Sequence, residues 1–375
     1  MTNHIPKSSP AFINGMDLCE QFFHEIAEPL LTRYFPELQY SAGLLGYGSD
    51  VLGFDDTVST DHMWGPRFYL FLDSSDISQK DHILLKFSEE FPCTYRGYSV
   101  NFSAPDPNDH GVKHPVFITQ GKVSPLIFIH TPEDFFDSYL GTHHLDAISP
   151  VDWLTLSEHR LLALTAGKLF HDELNMEDKI NKIRCYPDDV RLFLIASNWS
   201  LIAEEQAFVK RCSDVGDEIG SILVCSRISE RLMRLAFLYC RRYAPYSKWF
   251  GRAFSQLPIS EAIKTSIHEA VTAADIAARE FHLVQAQKQM ADLHNTLNIT
   301  EPVDIKIENY FNRSIKVIFA DKLAAATQKK LEESPLQNSP LIGTLSEVSN
   351  FTAVSDKPEY QRNIRALYSP ISSEK

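Results

Sequence analysis

The sequence is poor in what several protein classes require. Its 375 residues hold six cysteines, Cys19, Cys93, Cys185, Cys212, Cys225 and Cys240, and no two stand in a C-x-x-C pair. That spacing excludes a zinc ribbon, and so few cysteines in so long a chain exclude a disulfide-built fold. Long apolar runs are missing as well: no uninterrupted stretch approaches the roughly 20 residues needed to span a bilayer. The opening segment, MTNHIPKSSPAF, has a proline and serines where a signal peptide needs its apolar core. Positive charge is scarce. Lys and Arg total 36 against 49 Asp and Glu, a formal net charge of −13. That balance argues against sequence-independent binding of a long nucleic acid, which needs a basic face. The reading left by these absences is a cytoplasmic protein with reduced, mostly buried thiols, no membrane partner and enough apolar residues (44%) for two ordinary cores.

The chain changes character near residue 150. Before it, short β-prone runs alternate with turn residues. Phe68 to Leu72 (FYLFL) and Leu126 to Ile129 (LIFI) read as buried strands. Met16 to Tyr34 and Asp81 to Phe91 read as helices, and Ala104 to His114 as a loop. After residue 150 apolar residues recur three and four apart: Ser157 to Phe170, Pro187 to Cys212, Gly216 to Tyr243, and Ile259 to Leu297 as one helix or two. The Ser- and Pro-bearing stretch after residue 331 reads as loosely packed, with a short docking element. The expectation is an α+β fold: an α/β domain over 15–150, a helical domain over 151–330 and a tail over 331–375.

Most residues able to carry chemistry sit in one string, Gly46-Tyr47-Gly48-Ser49-Asp50 through Asp61-His62-Met63-Trp64-Gly65-Pro66-Arg67, followed by FYLFLD. Common glycine motifs fail here. Val51 stands where a dinucleotide fingerprint needs its last glycine, no Gly-Lys-Ser/Thr makes a P-loop, and Ser49 is not followed by x-Gly as in a hydrolase elbow. What remains is Gly-Ser, a gap, then Ser-x-Asp opening a strand. Glycine lets a backbone approach a polyphosphate, Ser offers a hydroxyl and an amide, and strand carboxylates hold a hard cation.

This pattern resembles the nucleotidyltransferase (polymerase-beta-like) superfamily, in which Gly-Ser precedes Asp-x-Asp on the next strand. Tyr186 to Arg211, Gly216 to Ser221 (GDEIGS) and Arg241 to Phe254 (RRYAPYSKWFGRAF) resemble an uncharacterised microbial family. That family joins a nucleotidyltransferase-like domain to a helical domain of unknown function. The resemblance runs from about residue 20 to about residue 330. It implies Asp61 as the catalytic, metal-binding carboxylate and His62 as a second metal group. Gly48, Ser49, Arg67 and Lys248 would hold nucleotide phosphates in a cleft between the domains. The implied cofactor is Mg²⁺ or Mn²⁺. The implied partners are a nucleoside triphosphate and an unidentified hydroxyl acceptor.

One departure bears on activity. The superfamily's second carboxylate falls on Met63, and a thioether is a poor ligand for Mg²⁺. The candidate later strands, Tyr98 to Ser103 and Leu126 to His130, hold no Asp or Glu, which leaves Asp56, His62 or the displaced Asp73 to complete a site. The alternative is therefore a non-catalytic nucleotide-binding or interaction protein on a degenerate scaffold. Plainer readings stand beside each residue. Gly48 and Ser49 suit a turn with a helix cap, Arg67 a solvated charge, Lys248 aromatic packing, and Lys168 with Asp172 a surface pair on one helix face. A competing enzyme reading, a metal-dependent phosphohydrolase, would use His143, His144, His171, Asp172 and Asp188 or Asp189.

Overall fold

A four-stranded mixed sheet organises the first half of an α+β fold. The computed structural model describes residues 11–60, 63–349, 351–355 and 357–369. The chain divides into two compact units. One is built from the described residues up to Asp146 together with Arg160–Arg184, and the other from Ala147–His159 together with the described residues from Cys185 onward.

In the first unit, strand β1 (Tyr40–Leu44) pairs antiparallel with β2 (Arg67–Leu72), Tyr40 opposite Leu72 and Gly43 opposite Tyr69. On its other side β2 runs parallel to Leu126–His130. β1 is flanked in turn by Lys168–Asp172, antiparallel and with a bulge between Ala42 and Gly43. Both central strands are covered on both faces, which is why FYLFL reads as a continuous apolar run and not an alternating one. The covering helix begins at Gly15 under an Asn14 cap, and Leu18, Phe22, Phe23, Ala27 and Leu31 are fully buried. It is interrupted by a π turn, Phe23–Ala27, before continuing as Glu28–Tyr34. Pro29 lacks the N–H that an unbroken α-helix would donate to the Glu25 carbonyl, which accounts for the break.

Two expectations need correction here. The helix expected over 157–170 spans only Glu158–Thr165, and Lys168 and Asp172 are the ends of an edge strand. They do not share a helix face. Lys168 pairs with Glu20, while Asp172 accepts the Ser41 hydroxyl and the backbone amides of Met176 and Glu177. Local apolar spacing favoured the helix, and pairing with β1 overrode it.

The second unit is helical. Asp188–Glu205, Glu218–Tyr239, Glu261–Thr272 and Ile276–Thr296 are its long helices. The 259–297 run is thus two helices, the second capped by Asp275 accepting from the Ala278 amide. Between them Trp199 donates to Tyr239 Oη at 3.0 Å, and Tyr239 Oη meets His294 Nδ1 at 3.1 Å, so these three buried side chains satisfy one another. The described part of the tail is anchored: Leu331, Leu336, Leu345 and Tyr368 are buried, and Tyr368 Oη bonds the Gly343 carbonyl at 3.0 Å. Its anchors lie too far apart in sequence to show a period.

Candidate functional site

The loop leaving β1 is built around a buried ion pair. Gly46 donates to the Ala163 carbonyl at 2.9 Å, and its positive φ places it against the Tyr139 hydroxyl. Tyr47 stacks on Tyr139, and its hydroxyl accepts from Arg160 Nε at 2.9 Å. Asp50 then turns inward, 2% exposed, and takes a two-point grip on Arg67: Nε to Oδ2 at 3.0 Å and Nη2 to Oδ1 at 2.8 Å. Arg67 Nη2 also donates to the Tyr47 carbonyl at 3.0 Å. Burial pulls the guanidinium toward neutrality, but the Asp50 charge and hydrogen bonds more than offset it and hold its pKa above the ordinary arginine value.

Gly48 sits at the closest approach. Its φ is +146°, and a Cβ there would overlap the Asp50 carboxylate and the Arg67 guanidinium. Only glycine fits, for a steric as well as a conformational reason. Among the described residues the Gly48 and Ser49 amides donate to no acceptor, and the half-buried Ser49 hydroxyl has no partner. Two adjacent amides and a hydroxyl without acceptors, on a pinned loop, are donors of the kind that bind an anion.

The next residues brace this loop. The Ser49 carbonyl accepts the Phe54 amide at 2.7 Å. Asp55 accepts the Gly15 amide at 2.6 Å and Trp64 Nε1 at 3.0 Å, tying the first helix to the segment before β2. Asp56 closes a tight turn on the amides of Val58 and Ser59. Cys19 is buried with its thiol on the Gly65 carbonyl, and burial pushes its pKa up to about 12, which removes it as a nucleophile.

The candidate residues therefore separate. Gly48 and Ser49 lie together in the loop. Asp61 and His62 fall outside the described residues. Arg67 is not a phosphate ligand with a free fork; it is 3% exposed and committed to Asp50 and the Tyr47 carbonyl. β2 starts at Arg67, six positions after Asp61. Met63 lies in the preceding loop with a φ of 49°, exchanging backbone and thioether hydrogen bonds with Lys113. Asp73, the displaced substitute, folds onto the Ser75 amide and hydroxyl, which hold its pKa below the usual carboxylate range. Lys248 belongs to the second unit, on helix Ser247–Ser255, with its ammonium 4.8 Å from the centre of the Trp249 ring.

The described carboxylates are already taken by other donors. Asp50, Asp55 and Asp56 are each engaged by cations or N–H groups, and among the described residues no three His, Cys, Asp or Glu side chains cluster to hold a metal ion. The described carboxylates alone do not fit a hard cation. The residues of the phosphohydrolase set have partners of their own. His143 pairs with Asp137 at 2.8 Å, His171 stacks on Tyr40, and Asp188 binds Arg191 and Arg241.

Sequence reasoning missed Asp50, although it follows the Gly-Ser pair directly; the signal was an acidic residue two positions after a glycine and a later Arg before a strand. It also missed Arg160, which binds the loop's Tyr47.

Part of the chain is similar to a family without an assigned activity. Residues 153–250 match the family described as Domain of unknown function (DUF4037). No curated protein matches the chain. Among solved structures, a nucleotidyltransferase-like protein from Exiguobacterium sibiricum 255-15 aligns at 10% identity and a TM-score of 0.30, covering 84% of this chain and 92% of that one. At that score neither fold nor activity transfers. Among the described residues no helix is long and apolar enough to cross a membrane.

Proposed function

We propose that the loop after β1 binds the phosphates of a nucleoside triphosphate, and that the protein is a nucleotidyltransferase moving a nucleoside monophosphate to a hydroxyl acceptor. The observation that carries this reading is the loop itself: amides and a hydroxyl without partners at Gly48 and Ser49, held open by a buried Asp50–Arg67 pair where no Cβ is tolerated. Rigid donors aimed at an anion supply binding and orientation with little reorganisation. Mg²⁺ or Mn²⁺ belongs to this reading as the neutraliser of phosphate charge, and Asp61 and His62 are the groups on which it would rest. The net charge of −13 favours a small or protein acceptor over a long nucleic acid.

Met63 favours a second reading, nucleotide binding without turnover. The thioether stands where a carboxylate was expected and is engaged by the Lys113 amide. Incubation with each labelled nucleoside triphosphate and Mg²⁺ or Mn²⁺ separates the two. Pyrophosphate release lost in Asp61→Asn supports transfer. Saturable binding that weakens about tenfold in Ser49→Ala, without pyrophosphate, supports the second reading. If no triphosphate binds, both are wrong.

A further inference from the structure

Tyr47 stands between Gly46 and Gly48, directly ahead of the unpartnered amides of Gly48 and Ser49. It is fixed at three points. Its ring stacks on Tyr139, with centres 5.3 Å apart and planes 26° from parallel. Its hydroxyl accepts from Arg160 Nε at 2.9 Å, and its carbonyl accepts from Arg67 Nη2 at 3.0 Å. The partners are held in turn. Arg160 Nη1 donates to the Tyr139 and Ser138 carbonyls at 2.7 and 3.3 Å, in the last turn of helix Pro132–Leu140. Its guanidinium also lies 5.8 Å from the centre of the Tyr139 ring. All of these residues belong to the first unit.

These contacts orient the ring without covering it. Tyr47 is 46% exposed, whereas the ring beneath it, Tyr139, is 7% exposed. One face lies on Tyr139, so the accessible surface is the opposite face and the edge. With glycine on either side, no side chain next to it in sequence screens the ring. A tyrosine clamped in this way has already lost its rotamer freedom. A ligand that stacks on it meets an ordered surface, which removes the ordering cost from binding. Chain geometry ties the ring to the anion donors: consecutive Cα atoms are about 3.8 Å apart, so the Tyr47 Cα lies within about 7.6 Å of the Ser49 Cα. Anion donors and an open π face this close suit one molecule with phosphate at one end and a flat ring at the other.

We propose that Tyr47 is the platform on which the base of the bound nucleotide stacks. The inference rests on the triphosphate reading of the Gly48–Ser49 loop and adds how the nucleoside is recognised: through a π face, not through hydrogen bonds to the base edge. Every base has such a face, so the site accepts purine and pyrimidine triphosphates alike.

The test is titration calorimetry on the full chain with Mg²⁺, using inorganic tripolyphosphate, ATP, GTP, CTP and UTP. Each nucleotide is expected to bind at least about tenfold more tightly than tripolyphosphate. Tyr47→Leu should bring all four to within about threefold of tripolyphosphate, whose own affinity stays unchanged, while Tyr47→Phe keeps the ring and the margin. A second measurement does not depend on the leucine variant folding. In deuterated protein with only its tyrosine rings protonated, saturating the ring signals should attenuate the base protons of ATP. That transfer should fall at least about twofold in Tyr47→Phe, which has no protonated ring at this position and still binds. The proposal is overturned, with the phosphate reading intact, if tripolyphosphate binds as tightly as the nucleotides or if only one of the four nucleotides gains. Saturation transfer that is absent in the parent, or undiminished in Tyr47→Phe, overturns it as well. If neither tripolyphosphate nor any nucleotide binds the parent protein, the triphosphate reading itself falls and this inference falls with it.

Discussion

Arg67→Met tests whether the loop is held by an internal pair or by its ligand. The substitution keeps the aliphatic stem but leaves the Asp50 carboxylate, 2% exposed, facing the space of a guanidinium that had bound it at 2.8 and 3.0 Å. Removing one partner of a buried, two-point ion pair costs about 3–5 kcal/mol, because the surviving charge is stranded away from water. For a unit of this size that is a drop in melting temperature of roughly 6–20 °C. Replacing both partners with apolar residues, Asp50→Leu with Arg67→Met, removes the stranded charge and should recover at least half of the lost stability. It should not restore triphosphate binding at Gly48 and Ser49, since the Asp50–Arg67 pair that holds the loop is gone. The assay is thermal and urea unfolding by circular dichroism for both single variants and the double variant, with triphosphate affinity measured in parallel. If Arg67→Met melts within a degree of the parent yet loses triphosphate binding, the reasoning fails. Arg67 would then be a phosphate ligand after all.

Gly48→Ala should destabilise by about 2–5 kcal/mol in urea unfolding, since the new Cβ overlaps the Asp50–Arg67 pair at a φ that L residues rarely adopt. Glu158 should make stability pH-dependent with a specific sign. Its folded pKa is raised from 4.5 to about 7, so the folded state binds the extra proton and stability falls as pH rises from 4.5 through 7. The loss is on the order of 3 kcal/mol. The groups around it, Arg234, Glu230, Glu347 and Tyr186, remain in Glu158→Gln, which should flatten that slope; an unchanged slope would assign it elsewhere. Lys248→Met deletes an exposed charge and keeps the stem over Trp249. Its melting temperature should hold while triphosphate affinity falls about tenfold, and normal affinity would leave Lys248 a surface cation.

Local chemistry was enough to write much of this protein from its residues. FYLFL and LIFI are strands because five or fewer apolar residues between turns can bury both faces only in a covered sheet. The helices from Asp188 to Thr296 follow from apolar residues three and four apart, and Asp275 marks the break between the last two. The Gly48–Ser49 turn was legible because glycine before Ser at the end of a strand signals a backbone that something must approach. Tertiary structure alone decided the rest. KLFHD became an edge strand because β1 offered it a partner, which no period in five residues can reveal. Arg67 changed from a presumptive ligand to an internal brace because Asp50, 17 residues away, is buried against it. Glu158 and Arg234 stand 76 residues apart, and only the packing of the helices brings them to one cavity wall. Hydropathy and periodicity act over neighbouring residues, whereas the cost of burying a charge depends on what the whole fold places beside it.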